Sequence, residues 1–198
     1  MSTITLPTGF QPSACTLTLS TNQRVNAAPF GGSEQAVDML TDRWLLSCEL
    51  PSRSQANGAA LEAFIAAMRG QTNVCALWHF VRPAPRGTAR GTILINGAVA
   101  QGASSIAVDG ISPATGTLLA GDLLGVDDML LMVAADVTAS GGAATVSLVN
   151  RVRTAILNNA AVTWDKPTRL FRLLATSGAS YSPRRADGVT FDFGEYIA

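Results

Sequence analysis

Residues 42–80 have the sequence DRWLLSCELPSRSQANGAALEAFIAAMRGQTNVCALWHF. Its first part has Trp44, Leu46, Cys48 and Leu50 in alternation with Leu45, Ser47 and Glu49, the period-two pattern of a strand with one buried face. Pro51 follows and predicts the strand's end, because proline has no N–H to donate to a neighbouring strand.

A helix is predicted next, over about residues 54–69. Ser52 or Ser54 can cap its first turn, and Gly70 after Arg69 is a typical C-cap. Four apolar residues recur at i, i+3, i+4 and i+7 and form one stripe: Leu61, Phe64, Ile65 and Met68. Residues 74–80 then predict a second strand, so the unit is strand, helix, strand, and no other segment predicts a helix convincingly.

Composition restricts the class of protein. The chain has 198 residues, 47% of them hydrophobic, which is typical of a globular protein with a real core. Only 14% are charged and the formal net charge is zero, which disfavours a nucleic-acid binder. A chain with so few charged residues is expected to cover part of its surface through contacts between subunits. All basic residues except Lys166 are arginine, which suits interfaces but also follows from a GC-rich genome.

Compartment and redox state can also be predicted. The N-terminal residues lack the basic and apolar regions of a secretory signal, and no apolar run reaches the length of a membrane span. Cys15, Cys48 and Cys75 are widely spaced in strand-like runs, which favours buried free thiols made in a reducing compartment. A metal site would need a close cysteine pair such as C-x-x-C, and the sequence contains none.

The segments before and after this unit favour strands. Residues 15–20 predict one strand, Arg24 and Val25 begin a partner for it, and 29–32 is a breaker cluster. Residues 33–40 give no assignment. After a Pro-, Gly- and Arg-rich crossing at 82–91, short strands are predicted at 92–95, 105–108, 123–126, 129–137, 144–149 and 162–164.

Turn signals separate the later strands, and Asn96-Gly97 is the strongest hairpin signal among them. Such a series predicts a small closed or nearly closed barrel. Residues 169–174 and 188–197 predict the last two strands. The fold class is therefore mainly β: residues 1–85 and 168–198 form a β-sandwich with one flanking helix, and residues 86–167 form a β-barrel inserted between two of its strands.

Candidate catalytic residues are few. His79 is the only histidine and lies inside an aromatic strand without a nucleophile motif, which favours a structural role. Asp122, Asp127, Asp128 and Asp136 suggest calcium or glycosidase chemistry, but their spacing does not match the D-x-D-x-D-G calcium loop, and solvated turn residues are favoured. We therefore predict no enzyme activity, catalytic residue, cofactor or metal.

Candidate binding residues are also few. Pro183-Arg184-Arg185 is a small basic patch that favours a solvated loop or a subunit salt bridge. Trp44, Trp78 and Trp164 lie in strand patterns where core packing is expected, with Trp164 the candidate for stacking on a ligand.

Several motifs together resemble one family across nearly the whole chain. The first motifs are Arg43-Trp44 before a helix that ends in Met68-Arg69-Gly70, and the crossing at 85–89 that is followed by Leu94-Ile-Asn-Gly97. The later ones are the Leu-Ala-Gly-Asp-Leu segment at 119–123, the segment at 135–146, Arg151-Val-Arg153 and the closing aromatic strand at 189–197. In order and spacing the chain is similar to the distal tail proteins and related minor tail proteins of long-tailed (siphovirus-like) bacteriophages and prophages.

The resemblance implies a tail-tube-like β-sandwich and an inserted barrel of the OB type. It implies a structural virion protein of the phage tail tip, made in the bacterial cytoplasm, whose ring, commonly of six subunits, joins the tail tube protein to the baseplate hub or fibres. Two alternatives stay open: a carbohydrate- or receptor-binding module of a tail-associated adhesin that uses Trp164, and an enzyme that uses Asp122 or Asp136.

Overall fold

The structure is a computed structural model that describes residues 1–27, 31–175, 178 and 180–197. Within these residues the protein is mainly β with a single helix, which confirms the predicted class. The elements, in chain order, are β1 (Thr3–Ile4), β2 (Ala14–Ser20), β3 (Gln23–Ala27), β4 (Glu34–Asp38), β5 (Arg43–Leu50), β6 (Arg53–Ser54), α1 (Gln55–Met68), β7 (Val74–Leu77), β8 (Ile93–Ile95), β9 (Ser105–Asp109), β10 (Thr117–Leu118), β11 (Leu123–Val126), β12 (Met129–Met132), β13 (Val137–Thr138), β14 (Ala144–Ser147), β15 (Ala161–Val162), β16 (Arg169–Leu173), β17 (Tyr181–Ser182), β18 (Arg185–Ala186) and β19 (Val189–Glu195). The breaker predicted at 29–32 falls partly on residues 29 and 30, which lie outside the described residues.

The chain divides into two compact units. Unit 1 comprises residues 1–18, 44–83 and 165–198, and unit 2 comprises 19–43 and 84–164. The division predicted from the sequence differs from these units most at residues 19–43, which were predicted to belong to the β-sandwich. Within unit 2 this segment contacts the 151–153 region: Arg151 Nε lies 3.2 Å from Asp38 Oδ2, and Arg153 donates to the Asp42 carbonyl oxygen at 2.9 Å.

Unit 1 is built on a six-stranded sheet in the order β1-β7-β16-β19-β5-β2. The short β1 runs parallel to β7, whereas β7, β16, β19 and β5 pair in antiparallel fashion. Phe191 lies opposite Cys48 and Phe193 opposite Leu46, and all four side chains are buried. The period-two patterns of β5 and β19 therefore identify the buried face correctly. A separate three-stranded sheet, β17-β18-β6, was not predicted, because its strands are only two residues long.

Helix α1 confirms the predicted apolar stripe, with Leu61, Phe64 and Met68 buried and Ile65 half-buried. Ser54 is the N-cap, and its hydroxyl accepts from the Asn57 N–H.

The alternative N-cap, Ser52, instead accepts from Arg185 Nη2 at 2.7 Å. The predicted C-cap at Gly70 is wrong by one residue. Arg69 itself takes the left-handed conformation at φ 48°, and its N–H donates to the Ala66 carbonyl oxygen.

Unit 2 contains a four-stranded sheet (β14-β9-β8-β15) and three two-stranded sheets: β10-β13, β11-β12 and β3-β4. Apart from β3 and β4, its strands surround one aliphatic core that includes Ile95, Val108, Leu131 and Val146. The sequence predicts a closed or nearly closed barrel, and continuous strand pairing does not close one among the described residues. Among the described residues, one isolated bridge, Gly125 with Thr163, joins β11 to the residue after β15. Another, Val133 with Leu148, joins the residues that follow β12 and β14.

Two local predictions in unit 2 are also wrong. Asn96-Gly97 does not form a two-residue hairpin, because β8 pairs with β9 and the connection runs from 96 to 104. The single strand predicted at 129–137 is two strands, β12 and β13, which pair with different partners. The described residues include no helix that is both long and apolar enough to span a bilayer.

Candidate functional site

The most exposed regular structure in unit 2 is the hairpin of β3 and β4, here called the β-arm. All ten residues of Gln23–Ala27 and Glu34–Asp38 are exposed. The five cross-strand pairs run from Gln23 with Asp38 to Ala27 with Glu34. The sequence predicts that β3 pairs with the strand at 15–20, and it gives no assignment to β4. This prediction is wrong: β3 and β4 form their own two-stranded sheet.

The β-arm presents apolar side chains on both of its faces. Val25 lies opposite Ala36 and Arg24 opposite Val37, so the two valines occupy opposite faces of the antiparallel pair. Val25 is 52% exposed and Val37 41%, and Met39, just after the β-arm, is 50% exposed. The outer edge of each strand also has no strand partner among the described residues.

The base of the β-arm is held by specific contacts. The Met39 N–H donates to the Asn22 carbonyl oxygen at 3.0 Å, and Asn22 Nδ2 donates to Thr41 Oγ1 at 2.8 Å. Leu40 takes a left-handed conformation at φ 55°, and its N–H donates to Asp38 Oδ1 at 3.1 Å. Together with the Arg151–Asp38 ion pair, these contacts fix where the β-arm leaves unit 2.

Asp122 is buried, at 3% exposure, so its expected place in a solvated turn is wrong. Oδ1 accepts from the Arg86 N–H at 2.9 Å, and Oδ2 accepts from the N–H groups of Leu119 at 2.8 Å and Gly87 at 3.3 Å. The carboxylate thus connects the 119–122 turn to residues 86–87. Because bonds to backbone donors occupy both oxygens, this geometry gives the side chain a structural role.

The other aspartates of that group are exposed. Asp127 and Asp128 form the β11–β12 turn, both with positive φ, and Asp136 accepts from the Ala120 N–H at 2.8 Å. In the described part of the chain, no three His, Cys, Asp or Glu side chains come together as a metal site.

His79 is 6% exposed, and its Nδ1 accepts from the Arg82 N–H at 3.0 Å. Burial lowers the pKa of the His79 imidazole, and the Arg82 charge lowers that pKa further. A buried neutral imidazole that accepts from the backbone agrees with the structural role expected from the sequence.

The tryptophans differ in their surroundings. Trp44 is buried at 1% exposure, and Trp78 packs against Phe80 with ring centres 4.6 Å apart. Trp164 is half-buried, its Nε1 donates to the Gly91 carbonyl oxygen at 2.8 Å, and the Arg90 guanidinium lies 5.0 Å from its ring centre. The indole N–H of Trp164 and the part of its ring that faces Arg90 therefore already have partners within the protein, although a ligand would need them.

The basic patch forms a turn. Arg184 has φ 71° between β17 and β18, and Arg185 contacts Ser52 within unit 1.

The three cysteines are free, as predicted, and Cys48 and Cys75 are buried, but the prediction of burial is wrong for Cys15, which is half-buried. Two of the three are close together. Cys15 Sγ and Cys48 Sγ, on neighbouring strands β2 and β5, lie 3.7 Å apart. Cys75 is buried, and its Sγ lies 3.7 Å from the Phe171 carbonyl oxygen. Comparison of the chain with protein-family models and with curated proteins gives no match.

Proposed function

We propose that this protein is a structural component of a phage tail tip and assembles into a ring through its β-arm. The supporting observation is the β-arm itself, whose ten residues are all exposed although its base is fixed. The sequence resemblance supports the part of the proposal that places the protein in a virion. The exposed β-arm supports the part that concerns assembly into a ring.

The stability of a two-stranded sheet depends on what packs against it. An isolated hairpin is at best marginally stable in water and gains stability when a third strand or another packing surface covers it. Each strand of the β-arm also offers unpaired N–H and C=O groups on which a neighbouring chain can add a strand. A second copy that covers the β-arm supplies both kinds of contact.

The composition of the exposed surface supports the same conclusion. Val25, Val37 and Met39 bring apolar area to the β-arm and its base, and charged residues are only 14% of the chain. If the β-arm contacts a different surface on the next copy, the interface is head-to-tail. Contacts of that kind close into rings when the rotation between copies allows.

The test compares assembly of wild-type protein with that of a β-arm variant. Val25→Lys and Val37→Lys together place charge on both faces, which opposes strand addition. We expect wild-type protein, alone or mixed with tail tube protein, to form rings in mass photometry and negative-stain microscopy. The double variant is expected to stay monomeric.

Leu157→Lys is the matched control, because Leu157 is 76% exposed and lies outside the β-arm. It should assemble like the wild type. Wild-type protein that stays monomeric under both conditions, or a double variant that forms rings equally well, contradicts the proposal.

A further inference from the structure

We propose that Cys15 and Cys48 form a site of covalent modification, at which a low-molecular-weight disulfide such as oxidised glutathione is exchanged for a cross-strand disulfide. The two sulfur atoms face each other from neighbouring strands, 3.7 Å apart. A disulfide bond is about 2.05 Å long. The two sulfur atoms therefore have to approach each other by about 1.7 Å to form a bond. This inference goes beyond the assembly proposal and does not depend on it.

The two thiols differ in access. Cys15 is half-exposed on β2, which is a terminal strand of the six-stranded sheet, whereas Cys48 is buried at 0% exposure. An external reagent therefore reaches Cys15 first. Cys48 is placed to attack any sulfur that becomes attached there.

The thiols also differ in acidity. The pKa of Cys15 is lowered to about 7, chiefly by the hydrogen bond with Cys48 and further by the Phe80 backbone and the Arg82 charge, although burial opposes this. The pKa of Cys48 is raised by its hydrogen bond with Cys15 and by burial. Because the thiolate is the nucleophile in exchange reactions, Cys15 is the attacking group near neutral pH.

The exchange takes two steps. The Cys15 thiolate attacks one sulfur of oxidised glutathione, whose S–S bond breaks, and a glutathione thiolate leaves. The Cys48 sulfur then attacks Cys15 Sγ and releases the second glutathione, which takes up the Cys48 proton. The two protein thiols are oxidised by two electrons, and one glutathione disulfide is reduced to two thiols.

The product closes a covalent loop between positions that are 33 apart in the sequence, and this loop contains the β-arm. A cross-link of this length restricts the unfolded chain and raises the melting temperature, here by about 5–10 °C. Cys75 is buried and its sulfur contacts the Phe171 carbonyl oxygen, so it serves as an internal reference that should not react.

The experiment incubates the reduced full chain with oxidised glutathione near pH 7.5, followed by alkylation, intact mass measurement and peptide mapping without reduction. We expect glutathione on Cys15 first, then one peptide joined through Cys15 and Cys48, with Cys75 alkylated only after unfolding. Cys48→Ala removes the hydrogen bond that lowers the Cys15 pKa, so glutathione should add to Cys15 more slowly and should then be retained there. Cys75→Ala should cross-link like the wild type.

Circular dichroism confirms that each variant is folded, and the wild-type time course alone gives the order of events if Cys48→Ala does not fold. The proposal is overturned if the folded wild type keeps glutathione on Cys15 without a cross-link, if Cys15 does not react, or if Cys75 reacts as fast as Cys15.

Discussion

Arg169 and Glu195 form an ion pair inside unit 1, with Arg169 Nε 3.1 Å from Glu195 Oε1 and side chains only 7% and 0% exposed. Each partner also binds backbone groups. Glu195 Oε2 accepts from the Trp44 N–H at 3.1 Å, and Arg169 Nη2 donates to the Tyr196 carbonyl oxygen at 3.0 Å. The pair therefore connects β16, β19 and β5 at one end of the six-stranded sheet, where an unpaired charge would be costly.

Glu195→Gln should destabilise the protein strongly, because it leaves the Arg169 charge buried beside a neutral amide. The expected loss is about 3–5 kcal/mol in the free energy of unfolding, measured by urea denaturation. Asp38→Asn is the matched control, since its partner Arg151 and Asp38 itself are 50% and 45% exposed. Its effect should stay within about 1 kcal/mol. Equal effects of the two changes contradict this view of the buried pair.

Asp122→Asn should also lower stability, because the new amide N–H₂ would face a backbone N–H in place of an acceptor oxygen. One lost charged hydrogen bond and one unsatisfied donor together cost about 2–3 kcal/mol. Asp136→Asn, at an exposed site with one bond to Ala120, should cost less than about 1 kcal/mol. Thermal and denaturant unfolding of both variants measures the difference. A fully stable Asp122→Asn protein would show that the carboxylate is not needed structurally.

Gly58→Ala should be destabilising although alanine normally favours a helix interior by about 1 kcal/mol over glycine. A Cβ at this position would lie 2.5 Å from Ala186 Cβ and 3.0 Å from Tyr181 Cε1, so α1 and β18 would have to move apart. The expected net loss is about 1–3 kcal/mol. Ala186→Gly should relieve part of it, and a double-mutant cycle measures that coupling. Additive effects, or a Gly58→Ala gain, would exclude the close contact.

His79 should make stability depend on pH below neutrality. Its folded pKa lies below the ordinary value of 6.5, so the unfolded chain binds a proton more readily than the folded chain does. The stability that comes from keeping His79 unprotonated in the folded chain is therefore fully present above pH 6.5, and it is lost as the pH falls through the folded pKa.

His79→Asn keeps an acceptor near the Nδ1 position but does not titrate. We expect the wild type to lose more stability than this variant between pH 7 and pH 5, measured by urea unfolding at each pH. Parallel pH profiles would contradict a lowered His79 pKa.

The sequence alone determined the helix and strands that have one apolar and one polar face. Leu61, Phe64 and Met68 follow the helical period, and Phe191 and Phe193 alternate with polar neighbours, so their buried faces could be predicted from the sequence. Strand β4, Glu34–Asp38, could not be predicted in this way, because all of its residues are exposed and no alternation marks it.

Partners across long sequence separations were decided by the tertiary structure. The sequence shows that Cys15, Cys48, Arg169 and Glu195 lie in strands, but only the strand order brings the two thiols within 3.7 Å and the two charges within 3.1 Å. Gly58 and Asp122 likewise acquire their roles from what packs against them. Periodicity is a property of one segment and its two faces. The neighbour of each segment is chosen by the packing of the whole chain, which no single segment encodes.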